Sequence, residues 1–384
     1  MSDYSIETVC QSIDRSIADQ WGAISFPIYQ SATFAHRGLG DSTGFDYTRM
    51  QNPTRQQLEY VVAKLEHGLD AMAFASGMAA IATLMELFSP GDHIIVDADL
   101  YGGSVRLFNE ISSKNGITFT TADLSRGDYA GLFQSNTKAV YLETPTNPMM
   151  NVTDIAALAG ECHKRNVILI VDNTFLSPYY QNPIDLGADI VIHSGTKFLS
   201  GHHDTIGGFI VLKDKKTDER LRLIYKTTGA GLAPFDSWLI LRGIRTLAVR
   251  MDRAQENAIK LADYLKQNRH VTKVIYPGFT EHPGYEISCR QSRGFGAMIS
   301  FYVDSRELVE FMLKNVEVAF FAESLGGTET LITYPITQTH ADVPKELLEK
   351  NGINDRLLRL SVGIEGIDDL IGDFERVFEL YDRQ

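Results

Sequence analysis

Strand-like apolar runs alternate with helical stretches between residues 56 and 245. The runs occupy residues 71–75, 93–96, 118–121, 139–142, 168–171, 190–192 and 208–212. Short apolar runs in regular alternation with helices are typical of buried strands in a mostly parallel sheet. The pattern therefore predicts an α/β domain over residues 56–245, with helices covering the sheet.

The pattern changes on both sides of this domain. Residues 245–268 carry apolar side chains at helical spacing, 298–303 and 357–362 have the pattern of strands, and 370–381 that of an amphipathic helix. These elements predict a smaller C-terminal α+β domain over residues 246–384. Residues 1–46 lack a sustained period and contain several glycines, which predicts an extended arm over residues 1–55 that embraces a second subunit.

Composition narrows the possible partners. The 384 residues carry a net charge of −13, which argues against nucleic acid because a phosphate backbone needs a basic face. No apolar run approaches twenty residues, so no membrane span is expected. The N-terminal twenty residues are polar and acidic, unlike a signal peptide, and three cysteines without metal or redox spacing favour the cytoplasm.

Two polar residues follow neighbouring apolar runs and indicate the chemistry. Asp172 comes directly after run 168–171, and Lys197 lies just beyond run 190–192 in the sequence Ser-Gly-Thr-Lys. A lysine at the end of a buried strand can lose its proton and attach to an aldehyde, and an aspartate nearby can hold a pyridinium nitrogen protonated. Together they predict a pyridoxal phosphate (PLP) site.

A phosphate cradle is predicted before a helical run at residues 81–88. Ser76, Gly77 and Met78 precede that run, and amides at a helix N-terminus point toward an anion. Ser194 and Thr196 flank the lysine loop and add hydroxyl donors. Tyr101, after run 93–96, is placed where its ring can stack on a flat cofactor.

Rival sites have weaker support in the sequence. His202, His203 and Asp204 have no further ligand at a recognisable metal spacing, so no metal is expected. The glycines after Tyr101 lack the dinucleotide fingerprint and its later acidic residue. A non-catalytic binding module would be favoured only if the lysine or the aspartate were missing.

The ordered motifs resemble the Cys/Met-metabolism family of PLP enzymes, which includes the cystathionine γ-synthases and γ-lyases. The resemblance runs from residue 27 to the end, through residues 47–49, 52–55, 76–80, 143–148, 171–175, 194–197, 324–327 and 359–363. It implies the type I, aspartate aminotransferase-like fold of PLP-dependent transferases. It also implies a homotetramer assembled as a dimer of dimers.

The resemblance also implies roles for matching residues. Lys197 would bind the cofactor covalently and act as the catalytic base, with Tyr101 as the second catalytic group. Asp172 would hold the ring nitrogen, while the phosphate would be bound by Ser76, Gly77, Met78, Ser194, Thr196 and, from a neighbouring subunit, Tyr47 and Arg49. The substrate α-carboxylate would be held by Asn147, Ser324 and Arg359.

Residues expected around the far end of the substrate favour one reaction. Glu323, Arg106 and Asp46 offer charges to a zwitterionic group such as that of cysteine, and Gly103 stands where methionine γ-lyases carry cysteine. Segments 44–47, 234–238 and 333–340 look most like cystathionine γ-synthases, including those that accept sulfide. We expect γ-replacement on O-acylhomoserine. Cystathionine γ-lyase is the alternative, and cystathionine β-lyase, methionine γ-lyase and a binding module are less favoured.

Overall fold

The computed structural model describes residues 4–17, 19, 21–341, 343 and 345–384. Residues 1–3, 18 and 20 of the predicted arm lie outside the described residues, as do residues 342 and 344 of the predicted C-terminal domain.

The larger sheet has seven strands in the order β1-β7-β6-β5-β4-β2-β3. Their bounds are β1 Asp70–Phe74, β2 His93–Asp97, β3 Thr118–Ala122, β4 Thr137–Glu143, β5 Ile168–Asp172, β6 Ile190–Ser194 and β7 Gly208–Leu212. Only β7 runs antiparallel to its neighbours. The predicted mostly parallel α/β sheet is confirmed, and each of its strands overlaps a predicted run.

Burial explains why these runs form strands. Every residue of β2 and β7 is buried, as expected for strands whose two faces are both covered by helices. The helices of this part are α1 Ile6–Val9, α2 Pro53–Leu65, α3 Gly77–Met85, α4 Gly102–Leu107, α5 Ile155–His163, α6 Ser177–Tyr180, α7 Lys215–Thr228 and α8 Pro234–Ile244.

Two helix starts position the site. Ser76 is the N-cap of α3, where its Oγ accepts a hydrogen bond from the Ala79 amide at 3.0 Å. Because this cap starts the helix at Gly77, α3 begins four residues before the predicted start at 81 and ends at Met85. Tyr101 precedes α4, and a π-helical turn, Phe108–Ser112, follows that helix.

A second, smaller domain contains a five-stranded sheet in the order β10-β11-β12-β9-β8. Its strands are β8 Val271–Ile275, β9 Met298–Val303, β10 Phe320–Phe321, β11 Leu331–Thr333 and β12 Leu357–Ser361. Its helices are α9 Leu247–Gln267, α10 Tyr285–Gln291, α11 Arg306–Asn315, α12 Lys345–Lys350 and α13 Ile367–Asp382. The predicted elements at 245–268, 298–303, 357–362 and 370–381 correspond to α9, β9, β12 and α13, whereas the domain limits stay predictions.

Within the ranges described above, no helix has both the length and the apolar character needed to cross a membrane.

Candidate active site

Three neighbouring strands of the larger sheet end at one cavity of about 400 Å³. Glu143, Asp172 and Ser194 are the last residues of β4, β5 and β6, and all three line it. The carboxyl ends of parallel strands meet at one edge of a sheet, where α/β proteins commonly bind ligands. The smaller domain supplies the remaining wall, including Ser324 and Arg359.

The cavity brings together thirteen of the sixteen residues predicted from the sequence. They are Ser76, Gly77, Met78, Tyr101, Arg106, Asn147, Asp172, Ser194, Thr196, Lys197, Glu323, Ser324 and Arg359. The arrangement places the predicted cofactor residues and the predicted substrate residues at one site, while their individual roles stay predictions.

The other three predicted residues do not line the cavity of their own chain. Asp46 accepts a hydrogen bond from Ser42 Oγ at 2.9 Å and pairs with His36 Nε2 at 2.8 Å. Tyr47 is partly exposed, and Arg49 donates to the Lys226 carbonyl. Their contribution to a neighbouring subunit's site therefore stays a prediction.

Lys197 is positioned to act as a base. Its Nζ donates a hydrogen bond to Ser324 Oγ at 2.9 Å. Burial, assisted by the Arg359 charge and opposed by Glu323, lowers the pKa of Lys197 to about 8. At pH 7 roughly a tenth of this lysine is therefore the neutral amine that nucleophilic and base chemistry requires, a far larger share than for an ordinary lysine.

Two acids line the cavity, Glu143, which is buried, and Asp172, which is partly buried. Burial raises the pKa of Asp172, although the Thr174 amide donates to its carboxylate at 3.0 Å and His193 also favours its charged form. Glu143 lies opposite Asp172 in the sheet register and accepts from the Tyr101 amide at 3.0 Å. Burial and the Asp172 charge raise the pKa of Glu143. A cationic ring would offset this excess of buried negative charge.

The phosphate cradle is shaped by close backbone approach. A Cβ at Gly77 would lie 3.2 Å from Ser194 Cβ, so a side chain there would crowd the space between α3 and the lysine loop. In the first turn of α3 the Ala79 amide donates to Ser76 Oγ, whereas Gly77 and Met78 line the cavity together with Thr196.

Gly103 lets the Tyr101 ring pack close to helix α4. A Cβ at Gly103 would lie 2.5 Å from a Tyr101 ring carbon and 3.0 Å from Met78 Sδ. The ring therefore lies directly against α4 at the cavity wall, consistent with its predicted stacking role.

Arg359 forms a buried cationic end of the cavity. Its Nη1 donates to Asn147 Oδ1 at 2.8 Å and its Nη2 to the Ser324 carbonyl at 2.9 Å. Burial lowers the pKa of Arg359 to about 10, so the group stays charged at neutral pH. Arg359 Nε is buried without a hydrogen-bond partner in the part of the chain that the structure describes. An incoming carboxylate would satisfy it.

Sequence reasoning did not single out several lining residues as site residues: Glu143, Phe175, Ile206, Gln338 and Thr339. Glu143 carried a signal, because it ends an apolar run beside the one that ends at Asp172. Gln338 and Thr339 fall in segment 333–340, whose only signal in the sequence was its resemblance to the family.

These features fit PLP. The cradle at Gly77 suits a phosphate, the buried acids suit a protonated ring, and Lys197 suits covalent attachment. Residues 7–379 match the family model described as Cys/Met metabolism PLP-dependent enzyme. The chain belongs to this family. Its members use PLP, and the cofactor prediction is confirmed.

Members of the family with several activities resemble the chain to a similar degree. A cystathionine beta-lyase of Lactococcus lactis subsp. cremoris (strain MG1363) is 45% identical, with 93% of this chain and 94% of the relative covered. A cystathionine gamma-synthase/O-acetylhomoserine (thiol)-lyase of Bacillus subtilis (strain 168) is 46% identical over 97% and 95%. The structure of a cystathionine gamma-lyase from Lactobacillus plantarum, complexed with L-serine, has a TM-score of 0.95 and 44% identity over 98% and 99%.

The structural match confirms the fold class, a PLP-dependent transferase fold with a smaller second domain. The protein is an enzyme of the cystathionine synthase and lyase family, acting on carbon–oxygen or carbon–sulfur bonds. The relatives carry three different activities at similar identity, so overall similarity does not decide among those activities.

Proposed function

We propose that this enzyme catalyses γ-replacement on an O-acylhomoserine by cysteine, the cystathionine γ-synthase reaction, with sulfide as a second acceptor. The observation that carries the proposal is the presence of opposite charges in the cavity, since Glu323 and Arg106 both line it. The carboxylate of Glu323 can bind the ammonium of cysteine, and the guanidinium of Arg106 can bind its carboxylate. Methionine and sulfide lack such a zwitterionic group at the far end.

The substrate α-carboxylate is assigned to Arg359 and Asn147. Arg359 is buried and its Nε lacks a partner among the described residues, so a carboxylate that binds there gains a charge-assisted hydrogen bond. Asn147 orients the guanidinium through its Oδ1. Ser324, whose Oγ accepts from Lys197 Nζ, connects this end of the site to the base.

PLP, when bound, supplies the electron sink for carbanion chemistry at the substrate Cα. Asp172 would hold a proton at its ring nitrogen, and the N-terminus of α3 with Ser194 and Thr196 would hold its phosphate. Lys197, as a neutral amine, would take the proton from Cα and move protons at Cβ, which permits loss of the γ-acyloxy group. Tyr101 is the second acid or base.

The proposal includes the setting in which the enzyme works. Amino acids are its substrates, and the chain assembles as a homotetramer, a dimer of dimers in which Asp46, Tyr47 and Arg49 reach a neighbouring site. The enzyme acts in the cytoplasm. Support for the assembly comes from the arm itself, because these three residues lie outside their own chain's cavity.

One set of assays separates the candidate activities. Purified enzyme is given O-acetyl- or O-succinylhomoserine with cysteine or sulfide, and separately cystathionine alone, with the products identified by mass. We expect cystathionine synthesis to be faster than cystathionine cleavage. Faster release of 2-oxobutyrate from cystathionine would favour γ-lyase, the second candidate, and pyruvate would indicate β-lyase.

A matched pair of variants tests the role of Glu323. Glu323→Ala should lower kcat/KM for cysteine about tenfold relative to sulfide, because sulfide has no ammonium to hold. The exposure of Glu323 to solvent keeps the effect below that of a fully buried pair. Glu329→Ala, nearby but outside the cavity lining, is the control. Equal losses for both acceptors would contradict the assignment of Glu323.

A further inference from the structure

Segment 334–340 connects the smaller domain to the wall of the cavity. It follows β11, and the Thr339 carbonyl packs so closely on Gly102 that a side chain there would collide with it. Gly102 and Arg106 are four residues apart on α4 and therefore share a face of that helix. Thr339 thus lies at the cavity beside the helix that carries Arg106.

His340 fixes the direction of one hydrogen bond in this segment. The ring is buried, with Nε2 3.0 Å from the Asn147 carbonyl and Nδ1 2.8 Å from Thr339 Oγ1. A carbonyl can only accept, so Nε2 carries a proton. Burial, assisted by the Arg359 charge, lowers the pKa of His340 to about 4, so the ring is neutral near pH 7. Nδ1 is therefore an acceptor, and the Thr339 hydroxyl donates to it.

This direction determines what Thr339 can offer a ligand. A hydroxyl has one proton, and here that proton is directed to His340, which leaves only the lone pairs of Thr339 Oγ1 for another partner. An acceptor oxygen suits an ammonium group and cannot serve a carboxylate. His340 is oriented in turn by Asn147, whose Oδ1 accepts from Arg359.

Glu323, the acid assigned to the distal ammonium, follows the strand that pairs with β11. Strands β10 and β11 are parallel, and the Ala322 amide donates to the Ile332 carbonyl at 3.2 Å. Glu323 follows Ala322 at the carboxyl end of β10, and segment 334–340 follows the carboxyl end of β11. Because the two strands are parallel, both segments begin at the same end of the smaller sheet. Glu323 and Thr339 therefore approach the cavity from one side.

We propose that Thr339 is a specificity-determining residue that accepts a hydrogen bond from the distal ammonium of cysteine or cystathionine, and that His340 is the positioning residue that orients it. The inference rests on the proposed function, because it concerns how a zwitterionic sulfur substrate is held. If the segment had only a structural role, substitutions in it would lower kcat/KM for all thiol acceptors by the same factor.

The first test compares cysteine with 3-mercaptopropionate, which is cysteine without its amino group. In Thr339→Val, the ratio of kcat/KM for cysteine to that for 3-mercaptopropionate should fall about tenfold, mainly through KM for cysteine. Thr339→Ser retains the hydroxyl and should keep the wild-type ratio. An unchanged ratio in Thr339→Val, or an equal fall in both variants, would overturn the proposal. PLP absorbance per subunit is matched across the proteins.

The second test separates the two hydrogen bonds of His340. Gln places a donor near the Nε2 position and removes the Nδ1 acceptor, whereas Asn places an acceptor near the Nδ1 position. His340→Gln should therefore lower the thiol ratio, whereas His340→Asn should keep that ratio and raise KM for the homoserine ester through Asn147. The opposite pattern, or the same loss in both variants, would overturn the positioning role.

Failure of the proposed function is visible separately, in the wild-type enzyme. If that enzyme cleaves cystathionine rather than making it, the same variants are compared on cystathionine and on S-(2-carboxyethyl)homocysteine, which lacks the distal amino group. A fall in the cystathionine preference of Thr339→Val would then support the Thr339 assignment although the synthase assignment had failed. No change in that preference would overturn the Thr339 assignment as well.

Discussion

Lys197 shows how one buried position changes the chemistry of a common side chain. Taking the ammonium out of water destabilises its charged form, and the nearby Arg359 charge adds to that effect, so the pKa falls to about 8. The Ser324 hydroxyl accepts the hydrogen bond that the amine still donates. Both causes are specific to the position of Lys197 in the cavity.

The lowered pKa predicts the pH at which Lys197 becomes reactive. Only a neutral amine is acetylated, so labelling of Lys197 in the cofactor-free protein should rise with pH around a midpoint of about 8. The same peptide in the urea-unfolded protein should show a midpoint near 10.5, the ordinary value. Acetic anhydride labelling read by mass spectrometry measures both. A folded-state midpoint at or above the unfolded one would contradict the burial argument.

At the residue scale, the sequence was most informative where a polar residue follows an apolar run. Asp172 and Lys197 stand out for that reason, and the cavity brings them together. Thr339 and Gln338 could not be assigned in this way, because they reach the cavity only through packing of segment 334–340 against Gly102. That contact joins residues more than two hundred positions apart in sequence, and no local pattern encodes it.

At the scale of elements, four of the predicted cofactor residues, Ser76, Gly77, Met78 and Tyr101, lie at the starts of α3 and α4. Both helices begin just after strands of the larger sheet, and both begin at glycine. Glycine lowers helix stability relative to alanine by roughly 0.5–1 kcal/mol, so its use here indicates a requirement for space. At Gly103 that requirement is explicit, because the Tyr101 ring occupies the volume that a Cβ would need.

Two helical glycines allow a matched prediction. Gly103→Ala should displace the Tyr101 ring and weaken PLP binding about tenfold, measured as a dissociation constant by fluorescence titration. Gly160→Ala, in α5 with no atom within 4 Å of the added Cβ, should leave PLP binding unchanged and stabilise the protein by about 0.5–1 kcal/mol. Equal PLP affinity in both variants would show that the ring position does not depend on Gly103.

Strand prediction worked for all seven runs of the larger sheet, including β3, which is only partly buried. Most runs of the larger sheet are apolar because both faces of their strands are buried, whereas the edge strand β3 is rich in threonine and partly exposed. In the smaller sheet, β8 is only partly buried, β10 consists of two exposed residues and β11 is buried but only three residues long, so none of them produced a recognisable run. Pairing with β9 and β11, rather than local sequence, makes β8 and β10 strands.

At the scale of the whole molecule, the cavity of one chain contains every predicted site residue except the three predicted in the arm. Asp46, Tyr47 and Arg49 belong to the same chain but lie outside it. If a neighbouring chain supplies them, each active site contains residues from two chains, and activity depends on assembly.

Mixing inactive variants tests this dependence. Arg49→Ala and Lys197→Ala chains, each nearly inactive alone, should recover about a quarter of wild-type activity when equal amounts exchange, because each hybrid dimer has one intact site. Arg359→Ala mixed with Lys197→Ala is the control. Arg359 and Lys197 line one chain's cavity, so no hybrid has an intact site. No recovery in the first mixture, with exchange demonstrated by mass, would rule out the shared site.

The origin of the cavity walls also bears on how this enzyme could diverge. Asp172, Lys197 and the phosphate cradle belong to the larger domain, whereas Glu323, Thr339 and Arg359 belong to the smaller one. Arg106, assigned to the same end of the substrate, lies on α4 of the larger domain, so acceptor recognition is divided between the domains. Substitutions at Thr339 can change which amino acid is accepted while Asp172 and the phosphate cradle stay unchanged, whereas substitutions at Glu323 also change the pKa of Lys197. This placement makes segments 322–325 and 334–340 the natural targets for redirecting the enzyme to new thiols.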